Sequence, residues 1–188
     1  MKPTLQRIRR PLVWLGLAVI YALPLLTLRG AMDMFLNVAG VPGESQDDKH
    51  KGEIDVLAWS WNMSNPGSFH NGGKGSTRMP SAQDISFTKF IDKASPNLMY
   101  HLFTGEPMES ARLTIRKAGG AAAVEYLVFT LSPVIVTSYT TGGSGNEDRF
   151  TENVSLNFGK MSLDYTEQHQ DGTPGKVYPA VLDFATGP

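Results

Sequence analysis

The chain contains no cysteine in its 188 residues, and this absence removes several classes of function at once. Without cysteine there are no disulfides, no thiolate metal sites and no cysteine nucleophiles. The cellular compartment stays open, because a cysteine-free chain tolerates oxidising and reducing surroundings alike. Apolar residues make up 41% and charged residues 19% of the sequence, which is typical of a globular protein with a buried core. The length predicts one domain.

Clusters of catalytic or metal-binding side chains are also missing from the sequence. No histidine has a second histidine at i+2 to i+4 with which to form a metal site, so each is interpreted as an isolated surface or loop residue: His50, His70, His101 and His169. The glycine-rich stretches lack the spacing of a phosphate loop or a nucleophile elbow. Two acidic pairs, Asp47-Asp48 and Glu147-Asp148, have basic neighbours and are interpreted as exposed ion pairs. The sequence therefore predicts a protein that is not an enzyme and needs no metal or cofactor.

Positive charge is scarce beyond the first thirty residues. The chain has 17 basic and 18 acidic residues. Five of the basic residues and none of the acidic ones lie within residues 1–30, so the rest carries 12 basic and 18 acidic residues. Nucleic-acid binding requires clustered lysine and arginine. The acidic body argues against a nucleic acid as partner.

The first thirty residues have a composition of their own. The sequence R-I-R-R is followed by 17 uncharged residues at 12–28, which include Pro24. A positive segment followed by an apolar run fits a signal peptide or a short signal anchor. A start-site artefact with the true start near Met32 and a buried helix are the other two interpretations. Membrane contact through residues 12–28 therefore stays open.

From Met34 onward the pattern indicates mostly short strands separated by glycine-rich turns, the spacing expected of a β-sandwich or barrel. One helix is predicted, with Ser95 as its N-cap, Pro96 at its first position and Gly105 at its end. Its apolar stripe is expected to pack on the sheet and consists of Leu98, Met99, Leu102 and Phe103. Besides a strand through the two tryptophans, strands are predicted at 34–39, 83–91, 111–117, 124–131, 134–140 and 150–164.

Two of these strands have faces of very different chemistry. In residues 53–63, period-2 alternation separates bulky side chains from small or polar ones. The bulky, core-facing set is Leu57, Trp59, Trp61 and Met63, and the opposite set is Val56, Ala58, Ser60 and Asn62. In residues 150–164 apolar side chains likewise alternate with Asn153, Ser155 and Asn157. Such small polar faces either lie in bulk water or line a water-filled bore.

Characteristic segments follow one another along residues 32–173. They are M-D-M-F-L at 32–36, G-E-S-Q-D-D-K-H at 43–50, E-I-D-V-L-A-W-S-W at 53–61, I-S-F-T-K-F-I-D-K at 85–93, S-P-N-L-M at 95–99, L-T-I-R-K-A-G-G at 113–120 and T-G-G-S-G-N-E-D-R-F-T-E-N-V-S-L-N-F at 141–158. In these segments the chain resembles the haemolysin-coregulated protein (Hcp) family, the tube subunit of bacterial type VI secretion systems.

The resemblance implies a mainly β fold, an antiparallel β-barrel with one flanking α-helix that assembles as a hexameric ring. Stacked rings would form a tube that a contractile sheath drives out of the cell behind a spike protein. Effector proteins would bind in the lumen of the tube. The protein would be cytoplasmic before firing and secreted afterwards, and it would have no catalytic activity.

The resemblance also implies roles for individual residues. Ser60, the serine of the W-S-W motif, would face the lumen and contact cargo, with Ala58 and Asn62 beside it. The charged loop at 43–52 and the glycine-rich excursion at 65–80 would lie between stacked rings. The expected ring-stacking residues are Glu44, Asp47, Asp48, Lys49, His70 and Lys74.

The two ends of the chain depart from the family pattern. The expected division is a hydrophobic extension at 1–30, a barrel domain at 31–175 and a divergent tail at 176–188. The tail lacks the G-W-[DN] sequence usual in the family, and Pro179 permits a strand there only at a sheet edge. The alternative function is a membrane-anchored β-domain with an interaction role, held by residues 12–28.

Overall fold

The computed structural model describes residues 32–65, 80–117 and 123–186. Within these ranges the chain forms antiparallel strands and a single α-helix, α1 (Ser95–Thr104). The strands are β1 (Met32–Val38), β2 (Ile54–Ser60), β3 (Met63–Ser64), β4 (Ser81–Ala82), β5 (Ile85–Phe90), β6 (Ala111–Lys117), β7 (Val124–Gly142), β8 (Thr151–Gln168) and β9 (Pro174–Asp183).

Six of these strands close into a barrel in the order β5-β2-β1-β6-β7-β8, because β8 also pairs with β5. Strands β3 and β4 form a separate small sheet, and β9 pairs with the C-terminal half of β8. The expected fold, a mainly β antiparallel barrel with one flanking helix, is confirmed. Closure hides most strand edges, which would otherwise expose unpaired backbone groups.

The long strands β7 and β8 each contribute to two walls of the barrel. The first half of β7 pairs with β6, whereas its second half pairs with the first half of β8, which in turn pairs with β5. One wall therefore consists of β2, β5, β8 and β7 in that order. The two strands predicted at 124–131 and 134–140 are one strand, because its ladder with β8 continues past the Ser132–Pro133 bond.

In the tryptophan strand, the predicted faces of Val56 and Leu57 are wrong, because β2 contains a β-bulge. Val56 pairs with Lys89 and Ala58 with Thr88, so Leu57 is an extra residue that changes which face follows. Val56 is buried, and Leu57 is 42% exposed. Beyond the bulge the assignment holds for the tryptophans, since Trp59 and Trp61 pack against the core. It fails again at Met63, which is 42% exposed.

The helix lies on the barrel along a narrower stripe than predicted. Leu98 is fully buried and Leu102 packs against the core, but Met99 and Phe103 are 50% and 90% exposed. A helix resting on a surface buries one row of residues spaced four apart, so the neighbouring row faces outward. Gly105 ends the helix as predicted, with φ +67° and its N–H donating to the His101 carbonyl at 2.9 Å.

The predicted N-cap is wrong by one residue. Ala94 occupies the N-cap position and Ser95 is the first helical residue. The Ser95 hydroxyl is not available as a cap because it bonds Lys89 and Glu152, which lie on the barrel wall. Tertiary contacts therefore override the local preference of serine for the cap.

The C-terminal segment forms an edge strand. β9 pairs with residues 160–168 of β8, and Pro179 stands opposite Asp164 in this outermost strand, where a missing N–H is tolerated. The division at residue 176 stays a prediction. None of the helices in the described ranges is long and apolar enough to cross a membrane. Residues 12–28 lie outside those ranges.

Candidate functional site

A row of serines crosses the outer face of the four-stranded wall. Ser60 of β2 stands opposite Ser86 of β5, Ser86 opposite Ser155 of β8, and Ser155 opposite Ser138 of β7. The Ser86 and Ser155 hydroxyls lie 2.7 Å apart and bond each other. Ser60 and Ser138, at the two ends of the row, are exposed. All four side chains of the row are short and uncharged.

A second row of small, uncharged residues lies beside the first. It consists of Ala58, Thr88, Asn153 and Thr140, again in direct register across the four strands. The Thr88 hydroxyl donates to Asn153 Oδ1 at 2.6 Å. The two rows give the wall eight side chains without a formal charge.

The sequence identified only part of this surface. Ala58 and Ser60 lie in the two rows, while Asn62 is exposed just beyond the end of β2 and its carbonyl accepts the Gln83 N–H at 2.9 Å. Ser86, Thr88 and the two β7 members of the rows were not identified from the sequence. The alternation in I-S-F-T-K-F at 85–90 carried the signal for the first two.

Asp84 marks one margin of the wall. Its carboxylate accepts the Thr137 hydroxyl at 2.5 Å and the Asn157 side-chain amide at 2.7 Å. Thr137 is the extra residue of a bulge in β7, between the register pairs of Val136 and Ser138. Both outer strands of the wall therefore carry a bulge, at Leu57 and at Thr137.

A buried ion cluster lies directly behind the wall. Lys89 of β5 is fully buried, and its Nζ lies 2.6 Å from both Asp92 Oδ1 and Glu152 Oε1. The same ammonium donates to the Phe90 carbonyl at 2.9 Å and to Ser95 Oγ at 3.1 Å. Ser95 in turn donates to Glu152 at 2.9 Å. The cluster joins β5 and β8 to the first residue of the helix.

Tyr139 of β7 completes this cluster by donating its hydroxyl to Glu152. Burial of the phenol, together with the neighbouring Glu152 carboxylate, raises the pKa of Tyr139 to about 12. Lys89, Glu152 and Tyr139 alternate along their strands with Thr88, Asn153 and Thr140 of the outer face. At these positions of the wall, Lys89 and Glu152 therefore point inward, and Thr88, Asn153 and Thr140 point outward.

The charged loop at 43–52 folds back on itself at one end of the barrel. The Gly43 N–H donates to the Gly52 carbonyl at 2.8 Å, and the Ser45 N–H to the Glu53 carbonyl at 2.9 Å. A Cβ on Gly43 would lie 2.2 Å from the Glu53 oxygen, so the close approach of the two segments requires glycine there.

Arg116 of β6 holds this loop to the barrel. Its guanidinium bonds Asp47 at 2.9 and 2.5 Å and Asp33 at 2.9 Å, and it lies over the Phe35 ring at 4.9 Å. The hydrogen bonds from Arg116 hold the pKa of Asp47 well below its usual range. The interpretation of Asp47-Asp48 as an exposed ion pair with lysine is wrong for Asp47, which pairs with Arg116, a buried arginine distant in sequence.

His50 is also part of the loop anchor and is not a surface histidine. Its ring is buried and stacks on Phe35 with centroids 4.1 Å apart and planes 8° apart. Its Nδ1 lies 2.9 Å from Glu53 Oε2, and its Nε2 lies 3.5 Å from Glu125 Oε1. Within the described ranges no group of three metal-ligating side chains occurs, here or elsewhere.

The expected ring-stacking residues differ in their surroundings. Glu44 accepts the Lys93 backbone N–H at 3.0 Å, and Asp47 is engaged by Arg116, so both make contacts within the protomer. Asp48 and Lys49 are exposed at the tip of the loop. His70 and Lys74 lie outside the described residues. A stacking role for these residues stays a prediction.

Comparisons with known proteins agree with this architecture. A family model described as "Type VI secretion system effector, Hcp" matches residues 35–165. The chain belongs to this Hcp family. It is 56% identical over 142 residues to the protein hcp1 of Pseudomonas aeruginosa, a match that covers 76% of this chain and 88% of the relative.

Solved structures of the family have the same fold. A structure described as a type six secretion system protein superposes with a TM-score of 0.79 at 28% identity, covering 84% of this chain and 99% of that one. Hcp1 of Salmonella typhimurium superposes with a TM-score of 0.69 at 35% identity, covering 84% and 98%. The resemblance seen in the sequence is confirmed.

The chain is therefore a structural subunit of the type VI secretion tube. This role is consistent with the expectation that it is not an enzyme. Neither the family members nor the described residues support the membrane-anchored alternative.

Proposed function

We propose that the polar wall of each Hcp protomer lines the lumen of a ring and contacts effector proteins there through Ser60, Ala58 and Asn62. All three residues are exposed, and none carries a charge. The observation that carries the proposal is the register of two uncharged rows across β2, β5, β8 and β7. Such a wall is rigid, because each strand pairs with its neighbour and the ion cluster fixes it from behind.

We also infer that the wall continues from protomer to protomer around a hexameric ring. Two strand segments form the edges of this wall, residues 58–60 of β2 and 135–142 of β7. Each pairs with a strand on one side, and no strand among the described residues pairs with it on the other side. A bulge in each of these strands restricts which partner edge fits. A ring formed in this way would surround a water-filled bore with six copies of the wall.

Stacking of rings is proposed to use the loop at 43–52. Asp48 and Lys49 present opposite charges at its exposed tip, while Asp47, His50 and Gly43 hold its shape. A contact between unlike faces propagates into an open stack, and complementary charges can set its register. The remaining partners of the proposal are the contractile sheath, the spike protein at the tip and the exported effectors. The subunit would be cytoplasmic before firing and would perform no catalysis.

The test replaces Ser60 with a bulky charged residue. Ser60→Glu should leave rings intact by mass photometry and lower the amount of effector that co-purifies with them. Gln170→Glu is the matched control, because Gln170 is exposed in the turn between β8 and β9, away from the wall. Retention of effector by intact Ser60→Glu rings at the wild-type level would refute the role of Ser60. Loss of rings in this variant alone would instead assign Ser60 to an interface.

A further inference from the structure

The wall that we assign to the lumen is electrically neutral over its central area. Its two rows contain four serines, two threonines, one asparagine and one alanine. The ionic side chains that alternate with the two rows, Lys89 and Glu152, are fully buried on the opposite face and bond each other at 2.6 Å. Asp55 of β2 and Lys160 of β8 are exposed, but neither belongs to the two rows. Asp84, at the margin, has both carboxylate oxygens bonded by Thr137 and Asn157.

The hydroxyl and amide groups of the wall are partly satisfied by one another. Ser86 bonds Ser155 and Thr88 bonds Asn153, in each case across neighbouring strands. A surface of this kind can exchange these bonds or its water for bonds to a visitor, and it leaves no buried group unsatisfied when the visitor departs. Its neutrality also means that it neither attracts nor repels a charged protein at a distance.

Resting on the proposed lumen function, we infer that the wall recognises cargo by uncharged hydrogen bonding and that its hold is insensitive to the sign of the cargo charge. The occupant is a folded protein whose contacting surface offers neutral donors and acceptors, such as hydroxyl, carboxamide and backbone groups. Charged side chains at the contact of either sign are disfavoured equally, because the neutral wall offers them no counter-charge when water is removed. Binding is therefore expected to depend little on salt.

The absence of cysteine permits a direct measurement of the wall itself. In assembled rings of Ser60→Cys, the single thiol is reacted with a cationic and with an anionic methanethiosulfonate reagent. The ratio of the two rates, divided by the ratio for a free thiol, should lie near one and should not change with salt. A normalised ratio that departs from one by about tenfold at low salt would show a charged wall and overturn the inference.

A second measurement uses a folded probe. One small monomeric test domain is prepared in three versions, with surface net charges near zero, about +8 and about −8, and each is co-expressed with the chain. The cationic and anionic versions should be retained in the rings to the same extent, no better than the neutral one, at both low salt and about 0.5 M salt. Preference for one sign by about tenfold, lost at high salt, would overturn the inference while leaving the lumen function standing.

A charged variant of the wall is the positive control for both measurements. Ser138→Lys places a cation at the exposed end of the serine row and should create a salt-dependent preference for the anionic reagent and the anionic domain. Gln170→Lys, in the β8–β9 turn, carries the same added charge and should create none. Intact wild-type rings that retain neither an effector nor any of the three domain versions would contradict the lumen function itself, and the inference would fall with it.

Discussion

Replacement of Lys89 with methionine is the sharpest test of the packing behind the wall. The ammonium is fully buried and is the only cation that contacts Asp92 and Glu152 among the described residues. Methionine has a similar length and can fill the same space, but it removes the charge. Two carboxylates with side chains 8% and 0% exposed would then lack their counter-charge.

The expected cost follows from the geometry of this cluster. Removing one partner of a buried ion pair typically destabilises a protein by about 3–5 kcal/mol, because the remaining charge cannot regain its hydration. Here two charges lose their partner, so the upper part of that range is expected. Glu152→Gln should cost less, since Lys89 keeps Asp92 at 2.6 Å and the new amide oxygen can still accept from Tyr139.

Urea unfolding measures this difference. With a urea slope of about 2 kcal/mol/M, a loss of 4 kcal/mol lowers the midpoint by about 2 M. Because ring assembly adds stability, all variants are compared at one protein concentration with the oligomeric state checked. Lys93→Met is the matched control, since Lys93 is exposed four residues further along and its loss should change the unfolding free energy by less than about 0.5 kcal/mol.

A double variant tests whether the cost comes from the ion cluster. Lys89→Met combined with Glu152→Gln should cost less than the sum of the single changes, by about 1–3 kcal/mol, because the residues are in direct contact. A change of less than about 1 kcal/mol for Lys89→Met would show that the cluster is hydrated or contributes little. Strict additivity in the double variant would show that the two side chains do not interact.

Two further predictions concern pH. Because the pKa of Asp47 is lowered in the folded state, its pair with Arg116 stabilises the fold above the unfolded pKa of about 4, and this stabilisation is lost as the pH falls below that value. The difference in urea midpoint between the wild type and Asp47→Asn should therefore close in acid. A gap that stays constant from pH 7 to about 2 would contradict the pairing. The raised pKa of Tyr139 means that stability is lost as pH rises from about 10 towards 12, and the tyrosinate absorbance of the wild type minus Tyr139→Phe should titrate near 12. Titration of this difference near 10 would place the phenol in water.

The elements that followed simple periodicity were predicted correctly. The strand predicted at 111–117 coincides with β6, and the apolar residues Val154, Leu156 and Phe158 of β8 all face the core. Strands that remain regular over six or more residues keep their two faces separate, so sequence alternation is sufficient there. The helix end at Gly105 was equally local, since it depends only on the freedom of glycine at positive φ.

The errors lie where one element depends on another distant in sequence. The bulge at Leu57 shows itself only in the register between β2 and β5, and nothing in residues 53–63 marks it. From the sequence, His50 is interpreted as a solitary loop residue. In the structure its ring is buried, stacks on Phe35 of β1 and lies beside the Glu125 carboxylate of β7. Asp47 finds Arg116 across 69 positions of the chain. Such partners are brought together by closure of the barrel, which period and spacing do not encode.

By itself, the sequence determined the class of this protein. The run of motifs from residue 32 to 173 assigned it to a family of tube subunits, and the missing cysteines and catalytic constellations agreed with a structural role. The tertiary structure decided how the tube wall is built, because the serine row consists of residues that are far apart in the sequence. They are Ser60, Ser86, Ser138 and Ser155, one from each of four strands. Only the register of a closed sheet can place these residues side by side on the outer face and the ion pair of Lys89 and Glu152 behind them.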